Sequence, residues 1–219
     1  DYTFNHYFQT YVGMPVYFVN PSSTTSTSNG FIDGFGNAYV GVRFGAKTPV
    51  LNYASNLVFT APTGDKDKGL STGRATVDWT NSFNRRLSSV TPFGSLGFAN
   101  TISDTSFFVR PFSSVGFVSH FDGGAIFRLS QFVDVGASAY AVRAAGQQRI
   151  ISKRGTSKNR AFGASTETVG SANIANDHGF SAWLGLSPGS TVDFQIGYTR
   201  SVNYSLDTLF FGVGYRLGK

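Results

Sequence analysis

The stretch Leu209-Phe210-Phe211-Gly212-Val213-Gly214-Tyr215-Arg216-Leu217 splits cleanly into two sets. Leu209, Phe211, Val213, Tyr215 and Leu217 fall on one side of an extended chain, and Phe210, Gly212, Gly214 and Arg216 on the other. Successive side chains of a strand point to opposite faces, so this period of two marks a strand with one apolar and one small or polar face. The same beat recurs upstream. Val192, Phe194, Ile196 and Tyr198 alternate with Asp193, Gln195, Gly197 and Thr199. Ala38, Val40, Val42 and Phe44 alternate with Tyr39, Gly41, Arg43 and Gly45, and Ala75, Val77, Trp79 and Phe83 with Thr76, Asp78, Thr80 and Ser82.

Composition agrees with strands. Asp outnumbers Glu eleven to one and Lys occurs six times, so two cheap helix formers are scarce. Aromatics make up 16% and glycines number 26, the residues of strands and turns. No apolar run approaches the ~18 residues of a membrane-crossing helix. Without cysteine there is no disulfide frame, thiolate metal site or thiol nucleophile.

A soluble sandwich and a membrane barrel both alternate, and three features point to the barrel. The polar faces carry Gly, Ser and Thr rather than the Lys and Glu of a washed surface; only 14% of residues are charged. The alternating segments are ~9–13 residues long, whereas soluble strands are usually ~5–6 and a tilted membrane strand needs ~9–11. Short and long connections also take turns. Read back from the C-terminus, the segments are 206–217, 190–202, 178–187, 132–145, 116–129, 87–100, 71–83, 49–60, 35–45 and 7–18. The expectation is one all-β domain over 1–219, a closed antiparallel up-and-down transmembrane barrel of about ten strands, with eight or twelve as alternatives. Long outer loops are expected near 19–34, 61–70, 101–115 and 146–177, with both termini on the short-turn side. Phe44, Phe59, Phe83, Tyr198 and Tyr215, near strand ends on the apolar side, suit interfacial aromatic girdles.

The segments Leu57-Val-Phe-Thr-Ala-Pro-Thr-Gly-Asp65 and Gly73-Arg-Ala-Thr-Val-Asp-Trp-Thr-Asn81 carry a resemblance. They are similar to uncharacterised barrel proteins loosely grouped with phenol-degradation outer-membrane transporters, within a chain that resembles a small Gram-negative outer-membrane β-barrel throughout. The resemblance implies a multi-pass protein of the cell outer membrane. Such barrels usually finish on a terminal aromatic; here the alternating tail is followed by Arg216-Leu-Gly-Lys219. Asp1-Tyr2-Thr3 lacks the basic and apolar regions of an export signal, and the expectation is a processed or truncated start.

With the apolar faces in lipid, the opposite faces point inward. They carry Arg43, Arg74, Asp78, His120, Asp122, Arg128, Asp134, Asp193 and Arg216, an expected lumen charge network, together with Gln195. Charges in a narrow lumen must pair or hydrate. Arg43, Arg128, Asp134, Asp193 and Arg216 fall near the short-turn end and are expected to brace that mouth. Ten strands enclose little more than side chains and water, which argues against a general diffusion porin. The longest loop is basic: after Arg143 come Arg149, Lys153, Arg154, Lys158 and Arg160 with no acid among them. Beside an outer leaflet, these residues form a candidate polyanion-binding loop for lipopolysaccharide phosphates or an anionic surface polymer. No aromatics are interleaved in Gln147–Lys158, so no nucleic acid is expected.

Catalytic chemistry finds little footing. Ser181, His120 and Asp122 could be drawn as a triad, but strands two apart are separated by ~9–10 Å. Gly34-Phe-Gly36 and Gly212-Val-Gly214 lie in alternating segments rather than at a strand-to-helix junction, and fail as phosphate loops. Neither a cofactor nor a metal is expected, with three scattered His and one Glu. The expected function is that of a non-enzymatic barrel with a structural or surface-interaction role and a lumen largely filled by side chains. The expected partners are outer-membrane lipid and lipopolysaccharide, and partner proteins or surface polymer through the outer loops; the pattern sets no oligomeric state. The alternative is a narrow transporter for small aromatic or hydrophobic solutes, and third comes a lipid-modifying rim enzyme.

Overall fold

A computed structural model describes residues 2–19, 32–65, 71, 73–102, 112–152, 167–189 and 191–215. Its strands are β1 Tyr2–Thr3, β2 Phe8–Gly13, β3 Val16–Val19, β4 Ile32–Phe35, β5 Tyr39–Lys47, β6 Asn52–Thr60, β7 Thr76–Asn84 and β8 Val90–Ile102. They continue as β9 Phe112–Arg128, β10 Val133–Ala144, β11 Gln147–Ser152, β12 Glu167–Ser171, β13 Asp177–Leu186, β14 Val192–Ser201 and β15 Leu206–Tyr215. The main sheet runs β1-β2-β5-β6-β7-β8-β9-β10-β13-β14-β15, every neighbour antiparallel. It is an all-β up-and-down sheet, and among the described residues no ladder joins β15 to β2.

Four connections at one end are tight, at 48–51, 85–89, 129–132 and 187–191. Thr48 shows how such a turn closes: its Oγ1 donates to the Leu51 carbonyl at 2.7 Å and accepts from the Leu51 N–H at 2.9 Å. Leu87 and Val90 exchange two 2.7 Å backbone bonds around Ser88, whose φ of 47° is left-handed. At the opposite end the connections are longer, apart from the turn at 202–205. Here β9 outruns β10 and pairs onward with β11, which pairs in turn with β12. Gly146, at φ +72°, makes the kink between β10 and β11, a conformation that favours glycine. Gln148 holds the kink: fully buried, it donates from Nε2 to the carbonyls of Phe117 and Ala145 at 3.0 and 3.1 Å.

The structure redraws several expected boundaries. The segment 7–18 is not one strand. Proline has no N–H to give a ladder, and the chain leaves the sheet at Met14–Pro15. Beyond it, β3 pairs with β4 in a separate two-stranded sheet, so the expected loop 19–34 contains β4 residues. Loop 101–115 shrinks because β8 reaches Ile102 and β9 begins at Phe112; loop 146–177 contains β11, β12 and a 3-10 turn at Ala172–Ala175.

The two faces of the sheet are buried in inverse order to their polarity. Among the described residues the buried apolar side chains are Ala99, Ile102, Val118, Val142 and Ala175, small or few. Ser114, Asp177 and Ser201 are fully buried and Thr199 is 1% exposed, while Leu209 is 80% and Val12 78% exposed. A water-soluble sheet buries its Leu and Phe and wets its Ser and Asp; this one does the reverse. Phe44, Phe59, Phe83, Tyr198 and Tyr215 all lie on the apolar face by register.

Candidate functional site

The polar face is where chemistry-bearing residues gather, and glycine organises it. Tyr39 lies over Gly13, Tyr11 over Gly41, His120 over Gly97, Trp183 over Gly136, Tyr140 over Gly179 and Phe210 over Gly197. Each pair is directly opposed on neighbouring strands. A bulky side chain that finds no Cβ opposite folds down flat against the next strand. The missing side chain thereby sets the direction of its partner.

His120 uses this freedom to cross β8. It lies over Gly97 and brings Nε2 to 3.3 Å from Asp78 Oδ2 on β7. Thr80 Oγ1 donates to the other Asp78 oxygen at 2.6 Å. The Ser181–His120–Asp122 triad is therefore not assembled: His120 faces Asp78, and the Ser181 hydroxyl pairs with Thr199 Oγ1 at 2.8 Å. Asp122 stands opposite Ser95 and Tyr140.

A second group lies near the loop end of β10, β13 and β14. Asp177 is fully buried. Its Oδ1 accepts from Ser201 at 2.6 Å and its Oδ2 from Tyr140 at 3.0 Å. Asn176 Oδ1 accepts from the Ala144 N–H at 2.8 Å, and Asn203 Nδ2 donates to the Asn176 carbonyl at 2.9 Å. A buried carboxylate is tolerated only when its oxygens are satisfied, and two hydroxyls from two other strands do that here. Sequence reasoning singled out neither Asp177 with Ser201 nor Gln148. The one available signal is a charged or amide residue placed where a strand enters an apolar or hydroxyl-rich run.

Other expected network members divide by place. Arg128 and Asp134 are register partners at the short-turn end, and Asp134 lies over Gly185. Asp193 accepts from Ser187 Oγ at 2.6 Å. Arg43 stands between Gln9 and Asn56 on β2 and β6, a different part of the face. Arg74 precedes β7, which starts only at Thr76, so it belongs to a connection and not to the strand expected there. Arg216 lies outside the described residues, as do Lys153, Arg154, Lys158 and Arg160; Arg149 is on β11 opposite Val169 and Val115. Among the described residues, no group of three or more His, Asp or Glu is arranged to hold a metal ion. No protein-family model matches the chain, and no curated protein is detectably similar to it in sequence.

Proposed function

We propose that the sheet closes edge to edge into a ten-stranded transmembrane β-barrel of a Gram-negative outer membrane, with a structural and surface-contact role and no catalytic one. The observation that carries this reading is the inverted burial: Phe, Leu and Val exposed on one face, Asp177, Ser201 and Thr199 buried on the other. Lipid solvates the first face, and a lumen of paired hydroxyls and charges accommodates the second. Closure also disposes of the two free edges. The exposed edge strands β2 and β15 carry Val12 and Leu209, the most exposed large apolar side chains among the described residues. β1 covers only Gln9 and Thr10 of β2, which leaves Tyr11, Val12 and Gly13 for β15.

The test is extraction and electrophoresis. The full chain is expected to need detergent and to migrate faster on a denaturing gel unheated than boiled. Solubility without detergent overturns the reading. The chain lacks cysteine, so pairs introduced on β2 and β15, such as Tyr11→Cys with Thr208→Cys, Phe210→Cys or Gly212→Cys, report closure directly. One of the three is expected to form a disulfide within a single chain.

One observation favours a second reading, a narrow conduit. The largest polar-face side chains lie flat over glycines of the next strand rather than standing away from the wall. Single-channel recordings separate the two: a silent bilayer supports the filled lumen, and steady conductance altered by His120→Ala supports the conduit.

A further inference from the structure

The apolar face is not evenly ridged. Across β7 to β10 it is cut by an open trough, walled by Phe83, Leu96 and Phe121 and floored by Gly94 on β8, Gly123 on β9, and Ala139 and Ala141 on β10. The register explains it. Gly123 is opposite Ala139 and Phe121 opposite Ala141, so small groups sit side by side while Phe83 and Phe121 stand 38% and 44% exposed at the flanks. The floor spans about two strand spacings, or ~10 Å, the width of one or two acyl chains.

Beyond the trough, one same-face position further toward the loop end, lies a cation. Ala139, Ala141 and Arg143 follow one another on the same face of β10. Arg143 is exposed, and among the described residues it has no carboxylate partner. Ser119 is its register partner, His178 stands opposite Ala141, and beside them Phe98 and Phe117 stack at 6.0 Å. An apolar trough with an unpaired guanidinium beyond its loop-side end, beside an aromatic fringe, matches an anionic amphiphile. A guanidinium binds phosphate through two parallel hydrogen bonds, which favours a phosphorylated headgroup.

Building on the barrel reading above, we infer that this trough and Arg143 dock an outer-leaflet phosphoglycolipid of the lipid A type. One acyl chain lies along Ala139 and Ala141, and a phosphate rests on Arg143. The position fits: the loop end is the outer side in such barrels.

Native mass spectrometry of the detergent-purified full chain tests this with two probes, bisphosphorylated lipid A and the same lipid dephosphorylated. The wild type is expected to retain the phosphorylated lipid about tenfold better. Arg143→Gln removes that preference and leaves binding of the dephosphorylated lipid unchanged. Ala139→Phe, which fills the trough, weakens both. Arg85→Gln, in a turn at the opposite end, weakens neither. Equal retention of the two lipids by the wild type, an undiminished preference for the phosphorylated lipid in Arg143→Gln, or unchanged binding by Ala139→Phe overturns the inference. Each variant is first checked for heat-dependent gel migration, which R143Q and R85Q are expected to keep. If the wild type itself shows none and needs no detergent, the barrel reading fails; if it shows both and binds lipid without regard to Arg143, only the docking site falls.

Discussion

The corner where β10, β13 and β14 meet and the free flank of β15 treat water in opposite ways. At the corner Asp177 and Ser201 are fully buried and their hydroxyl and carboxylate groups satisfy each other. On β15, Phe211, Val213 and Tyr215 are 69%, 58% and 67% exposed, on a strand paired along one edge alone among the described residues. In water the second is unfavourable because it leaves Phe uncovered, while the first stands because its hydrogen bonds replace those the carboxylate loses to solvent. A bilayer would favour the second, while the first rests in either solvent on the hydrogen bonds that satisfy Asp177. The contrast teaches that the polar face is held by its own hydrogen bonds, while the greasy face of β15 is left without cover among the described residues.

The corner is the first place to break that contrast. Asp177→Ala strips the acceptor from both Tyr140 and Ser201 and leaves two hydroxyls facing a void. It is expected to destabilise the folded form by about 4 kcal/mol, with Asp177→Asn, which keeps one acceptor, about half as severe. Urea titration of the detergent-solubilised protein, read by gel migration, measures both. An Asp177→Ala midpoint equal to wild type would show that the corner is not what the polar face depends on.

The greasy face comes next. Ile196 is 53% exposed near the middle of β14. On an aqueous surface Ile196→Arg is neutral or helpful. Facing lipid it is expected to lower stability by about 3 kcal/mol. Insertion into liposomes followed by denaturant titration decides between the two solvents, and an indifferent Ile196→Arg sides with water.

Gly136→Ala sharpens the picture on the polar side. A Cβ there overlaps the Trp183 ring, whereas one at Gly212 meets only Gln195 Cβ at 3.8 Å. Forcing the indole off the wall is expected to cost about 2 kcal/mol, while Gly212→Ala stays within about 0.5 kcal/mol. Near-ultraviolet circular dichroism follows the Trp183 environment in the first variant alone.

Much of the sheet is legible in the sequence because its two faces differ so strongly. Leu209 to Tyr215 and Val192 to Thr199 give their strands and their sidedness by alternation alone. What alternation omits is the neighbour. It puts His120, Asp78 and Asp122 on one face but cannot say that His120 crosses β8 to Asp78, a choice made by the gap at Gly97. Asp177 meets Tyr140 and Ser201 from 37 and 24 residues away, a meeting set by register between strands. The break at Pro15 carried a local signal, the missing N–H, beneath an otherwise strand-like run. The kink at Gly146 was hidden because β11 and β12 are too short to show a period.

The smallest effect lies in the turn that joins the two regions. Ser205, between β14 and β15, has a φ of 49°, where a Cβ crowds the following carbonyl by roughly 1–2 kcal/mol. Glycine relieves that crowding but enters the fold from a more disordered unfolded chain, which offsets roughly 0.5–1 kcal/mol. Ser205→Gly is therefore expected to stabilise the protein by about 0.5 kcal/mol, and Ser88→Gly, at φ 47° in a turn at the opposite end, by a similar amount. Near Ser205 the Tyr204 N–H also reaches the Ser201 hydroxyl at 3.3 Å, the same hydroxyl that donates to Asp177. If the turn helps hold the corner, Ser205→Gly in an Asp177→Asn background gains less than it does alone, while Ser88→Gly gains the same in both. Equal gains at Ser205 in the two backgrounds would show that the corner keeps its geometry without help from the turn.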